Sequence, residues 1–181
     1  MPFRLKKTVV LVGMMGAGKS AIGTALARRL GVPFLDSDAE IEAASNMTIA
    51  EIFDRDGEDF FRRKEAEVIQ RLLTSTAGIL STGGGAFLRE MNRDAIAKHG
   101  IALWLRADLD LLWSRVKHKT TRPLLYTGHP KSTLAELFDA RVPEYSKAAL
   151  VVDARPEYSI EAMTDRAIEI LLTRNDVLEA A

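Results

Sequence analysis

The chain has 181 residues, 25 Lys+Arg against 25 Asp+Glu, and 47% apolar residues; this suits one globular domain, 1–181, and excludes a disordered chain. Zero formal charge argues against a general polyanion binder, while a local basic site stays open. Cysteine is absent, which excludes disulfides, thiolate nucleophiles and Cys-ligated zinc, and His99, His118 and His129 lack the spacing of an H-E-x-x-H zinc site.

Arg4, Lys6 and Lys7 precede an apolar run, Thr8 to Met15, that superficially resembles a short signal peptide. The run breaks at Gly16-Ala17-Gly18 and meets Lys19, far short of the roughly 20 apolar residues of a membrane span. A buried strand explains it better, so a cytoplasmic protein without membrane contact is expected. Val9 to Val12 reads as a strand covered on both faces. Ala21 to Leu30 follows as helix, with Ile22, Leu26 and Leu30 at i+4 spacing, and Val32 to Leu35 as a second strand. Thr48-x-x-Glu51 is a capping box opening a short helix with Ile52 and Phe53. Glu58 to Leu73 is a longer helix with Phe61, Val68 and Leu72 on one face; Glu58 and Arg62 stand i,i+4 in the favourable order.

Gly78 to Ser81 is a third strand, ended by Gly83-Gly84-Gly85, and Ile101 to Leu105 a fourth. Leu109 to Val116 reads as helix, and Lys117 to Lys131, with Pro123, Gly128 and Pro130, as a loop. Thr133-x-x-Glu136 is expected to cap a helix to about Val142. Leu150 to Val152 is a fifth strand, and Ser159 caps a last helix through Leu172. The polar tail after Thr173 carries no assigned role. Strands alternating with helices predict a three-layer α/β/α fold with a five-stranded parallel sheet.

Gly13-Met14-Met15-Gly16-Ala17-Gly18-Lys19-Ser20 fits G-x-x-x-x-G-K-[ST], with a strand entering and a helix leaving. This is the P-loop of a nucleoside triphosphate site. Its glycines let backbone N–H groups turn inward around an anion, and the helix N-terminus adds orphan donors and the positive end of its dipole. Gly16, Ala17, Gly18, Lys19, Ser20 and Ala21 form the phosphate-binding set; Lys19 brings a point charge to the β/γ-phosphates, and Ser20 offers its hydroxyl to Mg²⁺. Asp36-Ser37-Asp38 follows the second strand, at the edge where open α/β sheets bind ligands. One carboxylate can hold Mg²⁺, through water, and the other can orient an acceptor hydroxyl; alternatively one of the pair only caps the next helix.

In order along the chain stand GMMGAGKS (13–20), LDSD (35–38), GEDFFRRKE (57–65), STGGG (81–85), RPLL (122–125) and RVPEY (141–145). The ordered set resembles the shikimate kinase family from about Lys7 to about Leu172. That resemblance implies ATP-dependent phosphorylation of the 3-hydroxyl of shikimate, in chorismate and aromatic amino acid biosynthesis, by a monomer. It implies that Asp38 contacts substrate hydroxyls as catalytic base and that Asp36 helps hold Mg²⁺ through water. Arg62 and Arg141 would bind the substrate carboxylate, within a helical region of about 37–65 for Arg62, and Gly83, Gly84 and Gly85 would approach the substrate through their backbone. Arg122 would reach the phosphates of ATP from a lid spanning about 117–131, and Arg115, with Pro156, would border the adenine.

Guanidinium forks suit a planar carboxylate, and carboxylates suit hydroxyls. Each residue also has a plainer role: Arg62 pairing with Glu58, Arg141 as a solvated helix cation, Arg122 as a loop cation, Arg115 as a surface residue, and the glycines as a turn. The strand ending at Asp153 looks like a Walker B strand, yet by the resemblance it is the last strand and Asp153 a decoy. Trp104 and Trp113 read as packing residues. The rival readings are another small-acceptor kinase, for gluconate or a nucleoside monophosphate, and a non-catalytic ATP-binding module. A GTPase switch would need N-K-x-D, which is absent.

Overall fold

The protein is described by a computed structural model covering residues 3–117 and 128–181. In chain order its first half comprises β1 (Phe3–Leu5), β2 (Thr8–Val12), α1 (Lys19–Leu30), β3 (Phe34–Asp36), α2 (Ser37–Ser45), α3 (Ile49–Leu73) and β4 (Ile79–Ser81). A 3₁₀ turn (Ala86–Leu88) follows, then α4 (Glu90–His99), β5 (Gly100–Arg106), α5 (Leu109–Val116), α6 (Pro130–Tyr145), β6 (Leu150–Asp153), α7 (Ile160–Leu171) and β7 (Leu178–Ala180). Five strands pair in the order β3-β4-β2-β5-β6, and every pairing is parallel.

The centre of this sheet is apolar because it is covered on both sides: Val9, Val10 and Leu11 of β2 are each 0% exposed. The chain moves one way across the sheet after β2 and the other way after β3. Right-handed crossovers then put helices on both faces. Accordingly α1 packs with α7, and α3 with α4. The register decides where the site lies. Ser81 pairs with both Leu11 and Asp36, and Val12 with Trp104. The segments that leave β2, β3 and β4 therefore emerge side by side at one edge of the sheet.

Helix ends follow their side-chain signals. Asp36 Oδ1 accepts from the Ala39 amide at 3.1 Å, and Asp108 and Ser159 cap α5 and α7 in the same way. Thr48 and Glu51 form the expected reciprocal box. The helices expected on either side of residue 57 run as one kinked element, broken at Gly57 with φ 85° and ψ 170°.

Some expectations shift. The second strand runs Phe34–Asp36, beyond Pro33, whose missing N–H suits the position before a strand. Residues 130 and 131 are helical, and the cap of α6 is His129 rather than Thr133. Pro130, with φ preset and no N–H to leave unpaired, takes the first helical position, and Thr133 back-bonds to the His129 carbonyl at 3.1 Å. The tail has structure as well: β7 pairs antiparallel with β1. Residues 118–127, most of the expected lid, lie outside the described residues, and Arg122 with them.

Candidate active site

The loop from Gly13 to Gly18 leaves the central strand and turns straight into α1. Gly18 caps that helix at φ 97°, a left-handed conformation that a residue with a Cβ rarely adopts, and no side chain occupies the cap. The first amides of α1 are thus left for an anion. Lys19 Nζ donates to the carbonyls of Gly13 at 2.6 Å and Met14 at 3.2 Å, so its charge is held over the loop. Ser20 and Ala21 stand exposed on the first turn of α1. Arg115, from α5, donates to the Gly16 carbonyl at 3.0 Å. A Cβ on Gly16 would lie 2.7 Å from Val116 Cγ1, so α5 forms one wall of the loop.

One strand away, the triple glycine gathers three side chains from three helices. A Cβ on Gly83 would lie 3.1 Å from both carboxylate oxygens of Asp38, on α2. On Gly84 it would stand 2.5 Å from Arg141 Nη1, on α6, and on Gly85 it would collide with the guanidinium of Arg62, on α3. Asp38, Arg141 and Arg62 are therefore packed over Gly83, Gly84 and Gly85 in turn, and a side chain at any of the three would crowd or displace them.

The Asp38 carboxyl is pushed above the usual aspartate range, first by burial and then by Asp36, while Lys19 and Arg62 pull the other way. Its Oδ1 is buried without a hydrogen-bond partner among the described residues, as are Ser37 Oγ and Glu65 Oε2. A buried acceptor left unpaired costs about 1–3 kcal/mol, so the open Asp38 oxygen is suited to receive a donor.

Arg62 does not pair with Glu58, which is exposed. It pairs with Glu65, Nη1 to Oε1, at 2.9 Å. Arg62 projects inward from the part of α3 that follows the Gly57 kink, where Glu65 is only 1% exposed and takes its charge. Burial raises the Glu65 carboxyl, and Arg62 opposes the shift. Sequence reasoning passed over Glu65, although it stands four residues after Phe61 on the helix face that also carries Val68, Ile69 and Leu72. A carboxylate on an apolar face was the available signal. Tyr145 was passed over as well: it is 0% exposed, and its hydroxyl donates to the Gly84 carbonyl at 2.6 Å.

The remaining expected residues divide. Asp36 does cap α2, which engages one of its two oxygens. Asp153 ends β6 in an ion pair with Arg106, whose Nη2 lies 3.0 Å from Oδ2, and that pairing holds the Asp153 carboxyl below its ordinary range. Pro156 lines an open cavity of about 510 Å³ together with Trp104, Phe138 and Asp108; Arg115 lies outside that lining, against the phosphate loop.

A phosphate-cradling loop on the central strand, with acceptor groups on the neighbouring strand ends, places this fold among the P-loop kinases of small molecules. The shikimate kinase family model matches residues 15–172. A shikimate kinase of Ruegeria pomeroyi is 64% identical over 97% of this chain and 90% of its own, and one of Cereibacter sphaeroides is 61% identical over 97% and 88%. Among solved structures, shikimate kinase from Acinetobacter baumannii in complex with shikimate superposes with a TM-score of 0.82 at 37% identity, covering 92% of each chain. The chain belongs to the shikimate kinase family, whose members are ATP-dependent kinases acting on a hydroxyl of shikimate.

Proposed function

We propose that this enzyme transfers the γ-phosphate of ATP to the 3-hydroxyl of shikimate, with Asp38 taking the hydroxyl proton. The observation that carries this reading is the packing of Asp38, Arg62 and Arg141 over three consecutive glycines. A bond forms between the acceptor oxygen and the γ-phosphorus, the bond from that phosphorus to the β–γ bridging oxygen breaks, and ADP leaves with the electron pair. Phosphoryl transfer asks for positioning and charge neutralisation more than covalent chemistry. The backbone amides of Gly16, Ala17, Gly18, Ser20 and Ala21 would hold the phosphates together with Lys19. Arg62 and Arg141 would clasp the shikimate carboxylate in bidentate fashion, and Gly83 to Gly85 would meet the ring through their backbone. Arg115 would border the nucleotide beside the phosphate loop, and the family resemblance gives Arg122 the phosphates from above.

The residues present fit Mg²⁺. Ser20 and the second oxygen of Asp36 are hard oxygen donors beside the loop, and no cluster of three or more carboxylates or histidines among the described residues forms a dedicated cage. Mg²⁺ commonly keeps waters and phosphate oxygens and takes one or two protein groups. Bound there, it would neutralise phosphate charge. The cysteine-free sequence supports a reducing, cytoplasmic setting, and no helix among the described residues is long and apolar enough to cross a membrane.

Two guanidiniums over adjacent glycines, Arg141 at Gly84 and Arg62 at Gly85, favour a carboxylated acceptor over a nucleoside monophosphate. The buried, unpaired oxygen of Asp38 favours a reacting hydroxyl over mere nucleotide binding. ADP release measured with shikimate, gluconate and AMP should show turnover with shikimate far ahead, and preference for either of the others would sink the assignment. Asp38→Asn should nearly abolish turnover while ATP still binds; a wild-type kcat in that variant would remove Asp38 from the chemistry.

A further inference from the structure

Arg141 and Tyr145 are four residues apart on α6, so both side chains face the same way. Both reach Gly84. A Cβ there would stand 2.5 Å from Arg141 Nη1 and 3.5 Å from the Tyr145 hydroxyl oxygen. The Tyr145 ring is fully enclosed and lies 6.1 Å, centroid to centroid, from Trp104. Its hydroxyl donates to the Gly84 carbonyl at 2.6 Å, near the short end for O–H···O. The Arg141 guanidinium stands close enough to act electrostatically on that hydroxyl. A hydroxyl has one proton to donate and two lone pairs. With the proton given to Gly84, its oxygen keeps lone pairs that suit a neighbouring guanidinium.

We infer that Tyr145 is a positioning residue of the acceptor site, its hydroxyl anchoring the Gly84 carbonyl beside Arg141 and so fixing the backbone and the guanidinium that meet the acceptor. The inference rests on the proposed function and assigns a residue to it. Because the peptide is planar, fixing the Gly84 carbonyl also fixes the Gly85 amide, which points the opposite way. A guanidinium held only by its flexible stem would lose rotamer entropy on meeting a carboxylate; one already packed against an anchored peptide and hydroxyl loses less.

A second tie holds α6 to the same region without Tyr145. Arg93 Nη1 donates to the Phe87 carbonyl at 2.8 Å and lies 3.1 Å from Glu144 Oε2. Removing the Tyr145 hydroxyl should therefore leave α6 docked and loosen only the array around Gly84.

The test is Tyr145→Phe, which keeps the ring and removes the hydroxyl. Steady-state kinetics should show KM for shikimate raised on the order of 10-fold, the scale of one lost hydrogen bond. KM for ATP should stay within about twofold and kcat within about threefold. Leu178→Ala, a core truncation remote from the site, serves as a control for stability loss alone and should leave both KM values unchanged. An unchanged KM for shikimate in Tyr145→Phe overturns the inference. So does a parallel rise of both KM values, and so does failure to fold, since each makes the hydroxyl a general structural element. If the wild type turns over a different acceptor, the functional reading falls, and the same split measured with that acceptor still decides the role of Tyr145.

Discussion

Asp38 is the residue in which burial and chemistry are most closely joined. Its carboxyl titrates above 3.8, because burial disfavours the charged form and Asp36 adds like-charge repulsion. A general base must be deprotonated, so activity is lost as pH falls through that raised value. The acidic limb of kcat/KM for shikimate should therefore lie above the ordinary aspartate range. Asp36→Asn should move the limb to lower pH, since it removes a charge that raises the Asp38 carboxyl, while asparagine still serves as a helix cap. A pH–rate profile of both proteins checks this, and an unmoved or upward-moving limb refutes it. Much of this site was legible in sequence: the phosphate loop from its spacing, and the Asp36–Asp38 pair from its place after a strand, with the family resemblance assigning Asp38. Arg62 and Arg141 were legible only through the family resemblance. A cation four residues after Glu58 looks like a surface pair, and the one local hint that Arg62 turns inward is the carboxylate of Glu65 on the apolar face of the helix.

At the scale of elements, the apolar runs gave the five strands, because a strand covered on both faces leaves a continuous signature. Two helices were faint for the complementary reason: α2 was anticipated only from its capping aspartate and the helical region of about 37–65, and α4 not at all. In α2 only Ser37 and Ile41 are buried, and in α4 only Asn92 and Ile96, so neither carries an apolar stripe. The kink in α3 was partly visible, as a break between two expected helices, but its cause is geometric. Gly57 holds φ 85° and ψ 170°, a region open essentially to glycine, and no heavy atom lies within 4 Å of where its Cβ would be. Gly57→Ala should thus cost about 1–3 kcal/mol from backbone strain alone, with no clash to relieve. The segment of α3 after the kink carries Arg62 and Glu65, so the same variant should raise KM for shikimate more than KM for ATP. Urea denaturation and steady-state kinetics measure the two effects, and an unchanged midpoint would show that the kink is not strained.

Across the whole molecule, a neutral chain separates its tasks between two poles. The loops after β2, β3 and β4 gather Lys19, Asp38, Arg62 and Arg141 at one edge of the sheet. β1 lies at the other end of β2, where β7 pairs with it and ties the two ends of the chain together. This second pole was not legible, because a strand of three residues in a polar tail has no period to detect. Its ion pairs are exposed: Lys6 with Glu179 at 2.9 Å and Lys7 with Asp176 at 3.2 Å. Pairs of this kind contribute little. The apolar contacts matter more, since Val177 and Leu178 are both 0% exposed within the core. Leu178→Ala should destabilise the protein by about 2–5 kcal/mol, the range for truncating a buried leucine. Because that cavity opens at the pole opposite the phosphate loop, kcat and both KM values should match the wild type well below the unfolding transition. Urea denaturation supplies the first quantity and steady-state assays the second. A kinetic defect without loss of stability would mean that the β1–β7 pair reaches the active edge of the sheet rather than closing the chain at the far one.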